Sequence, residues 1–444
     1  MGAHASNVYL GLSPMWVSTV ILAATYALIM SEKINRAIVA LIGASIMILI
    51  GVFDQAEAIR GIDWNTIGLL TGMMILVSIS RRSGMFQYIA IASAQAAKAH
   101  PAGILFLLQI TTAVLSAFLD NVTTVLLIVP VTLAIAKELE VPVYPYLFAE
   151  VFASNIGGTA TLIGDPPNIL IGTQAGLSFN EFVIHLTPII IVVMIAQAIM
   201  IHLVWGKDLK ASPEREAKVM ALKPAETIQD WLLLKQSLVV ISVVMIAFVL
   251  ARPLRLEPAT IAMFGAAVLM LLDNWAHHNE KAAQNIHQTF SDVEWITIFF
   301  FVGLFMVVHG VEFGGLLKLL AEKLVAATGG SIGAAGYAIL WASALLSSIV
   351  DNIPFVATMI PLIKAMAPAY GGADKIEPLW WCLSLGACLG GNGTLIGASA
   401  NLTVAGIAER NAIPFRFMTY TLYAFPMMLV SIAICHVYVW WRYF

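Results

Sequence analysis

The chain has 444 residues, of which 60% are hydrophobic and 11% charged; its formal net charge is −3 and its mean hydropathy +0.89. Soluble domains carry about 25% charged residues, so this composition excludes an ordinary soluble globule and describes an all-α polytopic membrane protein. The charge is small and no basic stripe is present to hold phosphates, which excludes nucleic acid as a partner.

Before Trp16 there is no Lys or Arg, so no signal-peptide n-region is expected. The opening Met-Gly-Ala-His-Ala-Ser fits the myristoylation spacing, but the topology argued below puts this end outside the cytoplasm, and no lipid anchor is read there. Apolar runs of crossing length fall near 12–30, 36–53 and 64–80. A weakly amphipathic stretch at 85–98 precedes a hairpin of two short helices over about 102–137, with Asp120-Asn121 at its tip. A broken crossing over about 146–173 and an unbroken one over 183–205 follow. The polar stretch 206–231 links the halves.

From residue 232 the order recurs. Crossings lie near 232–251, 256–273 and 293–310, followed by an amphipathic stretch at 316–328. A second hairpin covers about 333–366 with Asp351-Asn352 at its tip, then a broken crossing about 379–408 and a last crossing 418–441. Polar landmarks keep a near-constant offset. Asp63-Trp64 and Glu294-Trp295 are 231 positions apart, as are Asp120 and Asp351, and Thr161-Leu162-Ile163-Gly164 lies 233 before Thr394-Leu395-Ile396-Gly397. We therefore expect two repeats, 1–205 and 232–444, each with five crossings, one re-entrant helical hairpin and one broken transmembrane helix. Five is odd, so the repeats are expected to be inverted in the membrane.

Fifteen of the 23 Lys and Arg residues fall in loops on the linker's side, among them Arg36, Arg81, Arg82 and six in or beside the linker; Lys318, Lys323, Lys364 and Lys375 lie on the sparse side. The bias puts the linker in the cytoplasm and both termini outside, in the plasma membrane (the inner membrane of a prokaryote). Trp64, Trp205, Trp231, Trp275, Trp295, Trp440 and Trp441 fall near span ends and read as interfacial anchors. Cys382, Cys388 and Cys435 are too few for a disulfide framework and read as small core fillers away from the site.

The chemistry concentrates where apolar sequence is interrupted. Residues 154–168 read Ser-Asn-Ile-Gly-Gly-Thr-Ala-Thr-Leu-Ile-Gly-Asp-Pro-Pro-Asn. Gly-Gly and Pro-Pro should break the helix near mid-membrane, leaving half-helix ends that offer amide donors and carbonyl acceptors to a ligand. Residues 390–401 repeat the pattern. The hairpin tips, each about half a membrane deep, should meet these breaks. Expected substrate ligands are Asp120, Asn121, Thr123, Thr124, Ser154, Asn155, Thr159, Thr161 and Asn168 from the first half, and Asp351, Asn352, Asn392, Thr394, Ser399 and Asn401 from the second. Each tip Asp also suits a helix N-cap, a role compatible with ligand contact.

Asp165 has no counterpart, since Ala398 occupies the equivalent position. An unmatched intramembrane carboxylate makes it the leading proton carrier, with Asp120 and Asp351 next and Glu150 a weaker candidate. His309 and Glu312 read as interfacial, and His277, His278 and His287 as a solvated loop. Phosphate-loop, nucleophile-elbow and zinc-protease motifs are all missing, so no enzyme activity, cofactor or metal is expected.

The wording of 116–130 and 150–168, matched by 347–361 and 390–401, resembles the ion transporter superfamily, in its arsenite permease and P-protein branch. The resemblance implies inverted repeats with two hairpins and two broken helices, an elevator-like movement and, in many relatives, a homodimer. It also implies substrates among arsenite and antimonite, sodium, or carboxylates. The leading expectation is arsenite or antimonite efflux coupled to proton entry, with an accessory ATPase left open because none is encoded here. A sodium/proton antiporter is the alternative; a carboxylate transporter is disfavoured because acidic tips would repel a di- or tricarboxylate, and an anion channel ranks last because two inverted hairpins suit alternating access better than a continuous pore.

Overall fold

The computed structural model describes residues 8, 11–31, 33–275 and 280–444, and every regular element among them is helical. His277 and His278, read above as loop residues, lie outside the described residues. The first half runs α1 (Pro14–Met30), α2 (Arg36–Ile50), a short α3 (Gln55–Arg60), α4 (Trp64–Arg81), α5 (Met85–Ala96), α6 (Pro101–Phe118), α7 (Asn121–Leu139), α8 (Tyr144–Thr159), α9 (Pro166–Ala175) and α10 (Phe179–Trp205). The linker holds α11 (Pro213–Met220). The second half runs α12 (Trp231–Val249), α13 (Ala251–Leu254), α14 (Pro258–Trp275), α15 (Glu280–Ser291), α16 (Trp295–Gly314) and α17 (Leu316–Ala327). It ends with α18 (Ile332–Ser347), α19 (Asn352–Met366), α20 (Glu377–Gly390), α21 (Ser399–Arg410) and α22 (Phe417–Tyr443). The order from α4 to α10 recurs from α16 to α22.

Eight described helices are long and apolar enough to cross a membrane; α17 and α18 together form another apolar pair, bent by 117°. Side chains such as Leu203, Phe264, Leu422 and Trp441 stay exposed on these helices, as does Leu49 on the shorter α2. Lipid, as apolar as they are, is the solvent that makes such exposure inexpensive. Trp205 ends α10 and is half-buried. It packs among Tyr144, Phe148 and Tyr423, because the start of α8 carries aromatic residues that fill this corner.

Helix starts carry the logic of the sequence. The Asp63 side chain accepts from the backbone N–H of Asn65 and Thr66, Asp120 from Thr123, and Asp351 from Ile353. Each carboxylate thus satisfies otherwise orphaned donors at the positive end of a helix. Pro166 opens α9 at a position where a missing N–H is harmless.

The helices sort into two groups by packing. In one, α2 packs on α16 and α14 on α4, with α1 and α12 alongside, so the second crossing of each half lies against the third crossing of the other. In the other, α8 and α20 form the centre, with α6 on α8, α18 on α20, and α10 and α22 against both partners and each other. Few contacts join the groups, chiefly α16 with α19 and α4 with α9. The linker straps the base of α7: Arg215 pairs with Glu140, and the Gln95 amide of α5 donates to Leu222 O at 2.5 Å.

Two sequence expectations need correction. The hairpin arms α6 and α7 have 18 and 19 residues, about 27–29 Å at 1.5 Å per residue, longer than half a membrane. Gly157-Gly158 does not break α8, which continues to Thr159. Those glycines serve close approach instead. A Cβ at Gly157 would collide with the backbone of Ala113 in α6, and one at Gly390 would lie 2.6 Å from Ala344 O in α18. These are equivalent positions in the two halves. Gly157→Ala and Gly390→Ala are each expected to destabilise by about 1–3 kcal/mol, the usual penalty of overpacking. Thermal melts in detergent check this, and an unchanged midpoint for either would refute the close-approach account.

Candidate functional site

The site grows from the two chain breaks. In the first, Asn168 Nδ2 donates to Thr159 O at 3.0 Å and Thr161 O at 2.9 Å. In the second, Asn401 Nδ2 donates to Gly391 O and Thr394 O, both at 2.8 Å. Hydroxyls then tie each break to its hairpin. Thr161 Oγ1 donates to Ala117 O and Thr394 Oγ1 to Ser348 O, each at 2.5 Å. Ser116 Oγ reaches Ser154 O at 2.6 Å and Ser347 Oγ reaches Ala387 O at 2.7 Å. Carbonyls freed by irregular backbone are thereby satisfied inside the protein, as a membrane interior demands. Ser154 and Thr159 donate within α8, to Val151 O and Asn155 O.

Asn155 joins the halves. Its Nδ2 donates to Asn392 Oδ1 at 2.9 Å and Asn401 Oδ1 at 2.8 Å, and its Oδ1 accepts from Asn121 Nδ2 at 3.1 Å. Asn121 also donates to Asp165 Oδ1 at 3.2 Å. Across the repeat relation, Ser384 Oγ donates to Asn168 Oδ1 at 2.6 Å and Cys388 Sγ lies 3.4 Å from the same oxygen. Cys388 is thus the counterpart of Asn155, 233 positions on, and lies in the site rather than away from it. A thiol is small and weakly polar, so sequence alone gave no reason to lift it out of its apolar helix. Cys382 and Cys435 are buried.

Beside this network lies a small cavity of about 20 Å³, lined by Asp120, Asn121 and Asp165 from the first half and Glu294, Thr297, Asn352 and Ser399 from the second, with Arg36 of α2. At the first tip, Asp120 accepts from Thr123 N at 2.8 Å and Thr123 Oγ1 at 2.5 Å, and Thr124 Oγ1 donates to Asp120 O at 2.9 Å. At the second, Asp351 Oδ2 accepts from Arg36 Nη1 at 3.0 Å and Ser399 Oγ at 3.1 Å. Sequence reasoning does not reach Arg36 and Glu294 as site residues: Arg36 lies near a span end, where a cation speaks only to topology, and Glu294 marks the repeat.

Among the described residues, three buried side-chain atoms here have no partner: Asp165 Oδ2, Asn352 Nδ2 and Asn392 Nδ2. Such atoms are rare in folded proteins and carry the penalty of an unmade hydrogen bond. Glu150 is also buried, with Oε1 accepting from Thr132 and Oε2 unpartnered, but it does not line this cavity. His309 lies between Glu57 and Glu312, at 4.0 and 3.7 Å. No cluster of His, Cys, Asp and Glu among the described residues could hold a metal ion.

The pattern of the CitMHS family, described as citrate transporter, matches residues 26–386. An uncharacterized transporter of Mycobacterium tuberculosis is 42% identical over 432 residues, covering 96% of this chain and 98% of that protein. The P protein of Homo sapiens is 34% identical over 515 residues, with 96% of this chain covered and 60% of the longer P protein. Among solved structures, the YdaH transporter of Alcanivorax borkumensis is similar with a TM-score of 0.59 at 13% identity, covering 96% of this chain and 98% of that one. Neisseria gonorrhoeae MtrF has a TM-score of 0.53 at 11% identity over 97% and 96% of the two chains. These two likenesses concern the fold alone. The chain belongs to the citrate transporter (CitMHS) family of the ion transporter superfamily, and is a polytopic secondary transporter of the membrane.

Proposed function

We propose that this chain expels arsenite or antimonite from the cytoplasm in exchange for protons, by alternating access. The observation that supports this reading is the mixed character of the unpartnered atoms: one carboxylate acceptor, Asp165 Oδ2, and two amide donors, Asn352 Nδ2 and Asn392 Nδ2. A neutral trihydroxide, the chief form of arsenite at neutral pH, uses donors and acceptors together. A bare cation would use only the acceptor. Citrate, the substrate named in the family's description, would face Asp120, Asp165 and Glu294 in the cavity and Asp351 beside it, with Arg36 as the one basic side chain of the lining. Net negative charge disfavours a tricarboxylate.

Asp165 is the leading proton carrier, with Asp120 and Asp351 beside it. A 20 Å³ cavity holds about one water, so substrate entry requires opening, and the sparse contacts between the two helix groups suit such a movement. In this reading 1–205 and 232–444 are inverted repeats of five crossings, with the linker 206–231 in the cytoplasm and both termini outside. The test uses proteoliposomes with an imposed pH gradient. Proton-driven accumulation of arsenite or antimonite is expected, and its absence under a gradient that moves protons would sink the reading.

A sodium/proton antiporter is the second reading, favoured by the carboxylates gathered around the cavity. Sodium-dependent proton release from the same vesicles, with no arsenite movement, would establish it in place of the first.

A further inference from the structure

Arg36 opens α2, where a cation meets the positive end of the helix dipole and gains nothing from it. Its guanidinium is held instead by oxygens from three elements of the second half. Nη1 donates to Asp351 Oδ2 at the hairpin tip, at 3.0 Å, and to Ser399 Oγ at the start of α21, at 2.7 Å. Nη2 lies 3.3 Å from Thr297 Oγ1 in α16, and the guanidinium carbon sits 5.0 Å from the Phe300 ring centroid. Ser399 and Thr297 are themselves tied to acids, Ser399 Oγ to Asp351 at 3.1 Å and Thr297 Oγ1 to Glu294 at 3.1 Å. Asp351 Oδ2 and Ser399 Oγ meet at Nη1, and Thr297 Oγ1 lies beside the neighbouring Nη2, so a carboxylate and two hydroxyls surround the cationic head with the oxygen-only donors that suit a hard cation.

We propose that this is a monovalent-cation subsite, of the kind sodium takes, and that Arg36 is a tethered cation filling it. Arg36 is then a specificity-determining residue: while it occupies the subsite, an alkali cation is excluded and the adjoining cavity is left to a neutral ligand. Among the described residues the first half has no such tether: Asp120, the counterpart of Asp351, is held by the backbone and hydroxyl of Thr123 instead. There Thr66 Oγ1, the counterpart of Thr297, donates to Asp63 at 2.8 Å and pairs with Thr173 at 2.7 Å. The charged groups facing the subsite are Arg36 from α2, Glu294 before α16, Asp351 at its own tip, and Asp120 and Asp165 across the cavity. The inference rests on reading this cavity as the transport site, and it says why a site so rich in carboxylates would not carry sodium.

The test reads cation binding rather than transport. Purified wild type and R36A are melted in about 0.1 M sodium chloride and in choline chloride at the same strength. Sodium is expected to raise the melting temperature of R36A by about 3 °C or more, with the wild type unmoved. R36A/D351N should lose the gain, and R36K, which keeps a tethered cation, should behave as wild type. R36Q, which keeps part of the stem over Phe300, carries the same comparison if R36A does not fold. A sodium effect equal in wild type and both variants, or one that survives D351N, overturns the proposal. A sodium gain in R36A beside a wild type inert toward arsenite would sink the substrate reading and keep this one.

Discussion

Replacing Asp165 by asparagine is expected to abolish proton-driven transport, by about 100-fold or more, the scale on which loss of a proton-exchanging group is felt, while folding and membrane insertion persist. The structure separates the two effects. Asp165 Oδ1 accepts from Asn121, and the amide oxygen of asparagine can take over that bond. Asp165 Oδ2 makes no hydrogen bond of good geometry, so an NH₂ in its place loses none, although it would stand near the Asn352 amide and the Cys388 thiol that neighbour this carboxylate. The side chain does not cap α9, although it stands at the N-cap position. At the equivalent place in the second half, Ala398 adopts φ −151° and ψ 146° against φ −143° and ψ 132° at Asp165. The backbone conformation therefore does not need a carboxylate, and a buried acid whose one bond, from Asn121, an amide could accept equally well is a candidate for a chemical task. Substrate exchange at equal pH on both sides is the informative control. Exchange that persists while gradient-driven accumulation is lost assigns Asp165 to coupling. Loss of both assigns it to substrate binding, and an unchanged pH dependence removes it from the mechanism.

The architecture was legible because polar residues in apolar sequence are few and each has a reason. The constant offset is met by matching N-caps at Asp120 and Asp351, by matching hydroxyl bonds from Thr66 to Asp63 and from Thr297 to Glu294 (although Glu294, unlike Asp63, does not cap its helix), and by matching ties from hairpin to break, such as Thr161 to Ala117 and Thr394 to Ser348. Sequence could name Thr161, Thr394, Asn168 and Asn401 as important without telling that their donors hold backbone carbonyls. Type and position reveal that a polar group is needed, whereas its partner depends on packing. Gly157 misled for a similar reason. Glycine signals either a helix break or a close approach, and only the proximity of Ala113 tells which. Arg36 was invisible because it lies far from every motif in sequence. It meets Asp351 only through the packing of α2 on α16, a contact between halves that no local pattern encodes.

The repeat relation also makes an asymmetric prediction about the hub where the halves cross. Asn155 and Cys388 stand at equivalent positions, yet their losses should differ several-fold. Asn155→Ala removes the donor that Asn392 Oδ1 and Asn401 Oδ1 both use, and leaves Asn121 with Asp165 alone. Two buried carbonyls left unpaired at about 1–3 kcal/mol each predict a loss of about 2–6 kcal/mol. Cys388→Ala leaves Asn168 Oδ1 with its 2.6 Å bond from Ser384 and forfeits only a weak thiol contact and some volume, about 1 kcal/mol. Apparent melting temperatures of the two variants in detergent check the contrast. A double-mutant cycle between Asn155 and Asn401 should add a coupling of about 0.5–3 kcal/mol, as expected for side chains in direct contact. Equal shifts for N155A and C388A, or additive effects of N155A and N401A, would mean that the amide network does not join the two halves, and the transport site would have to be sought away from their crossing.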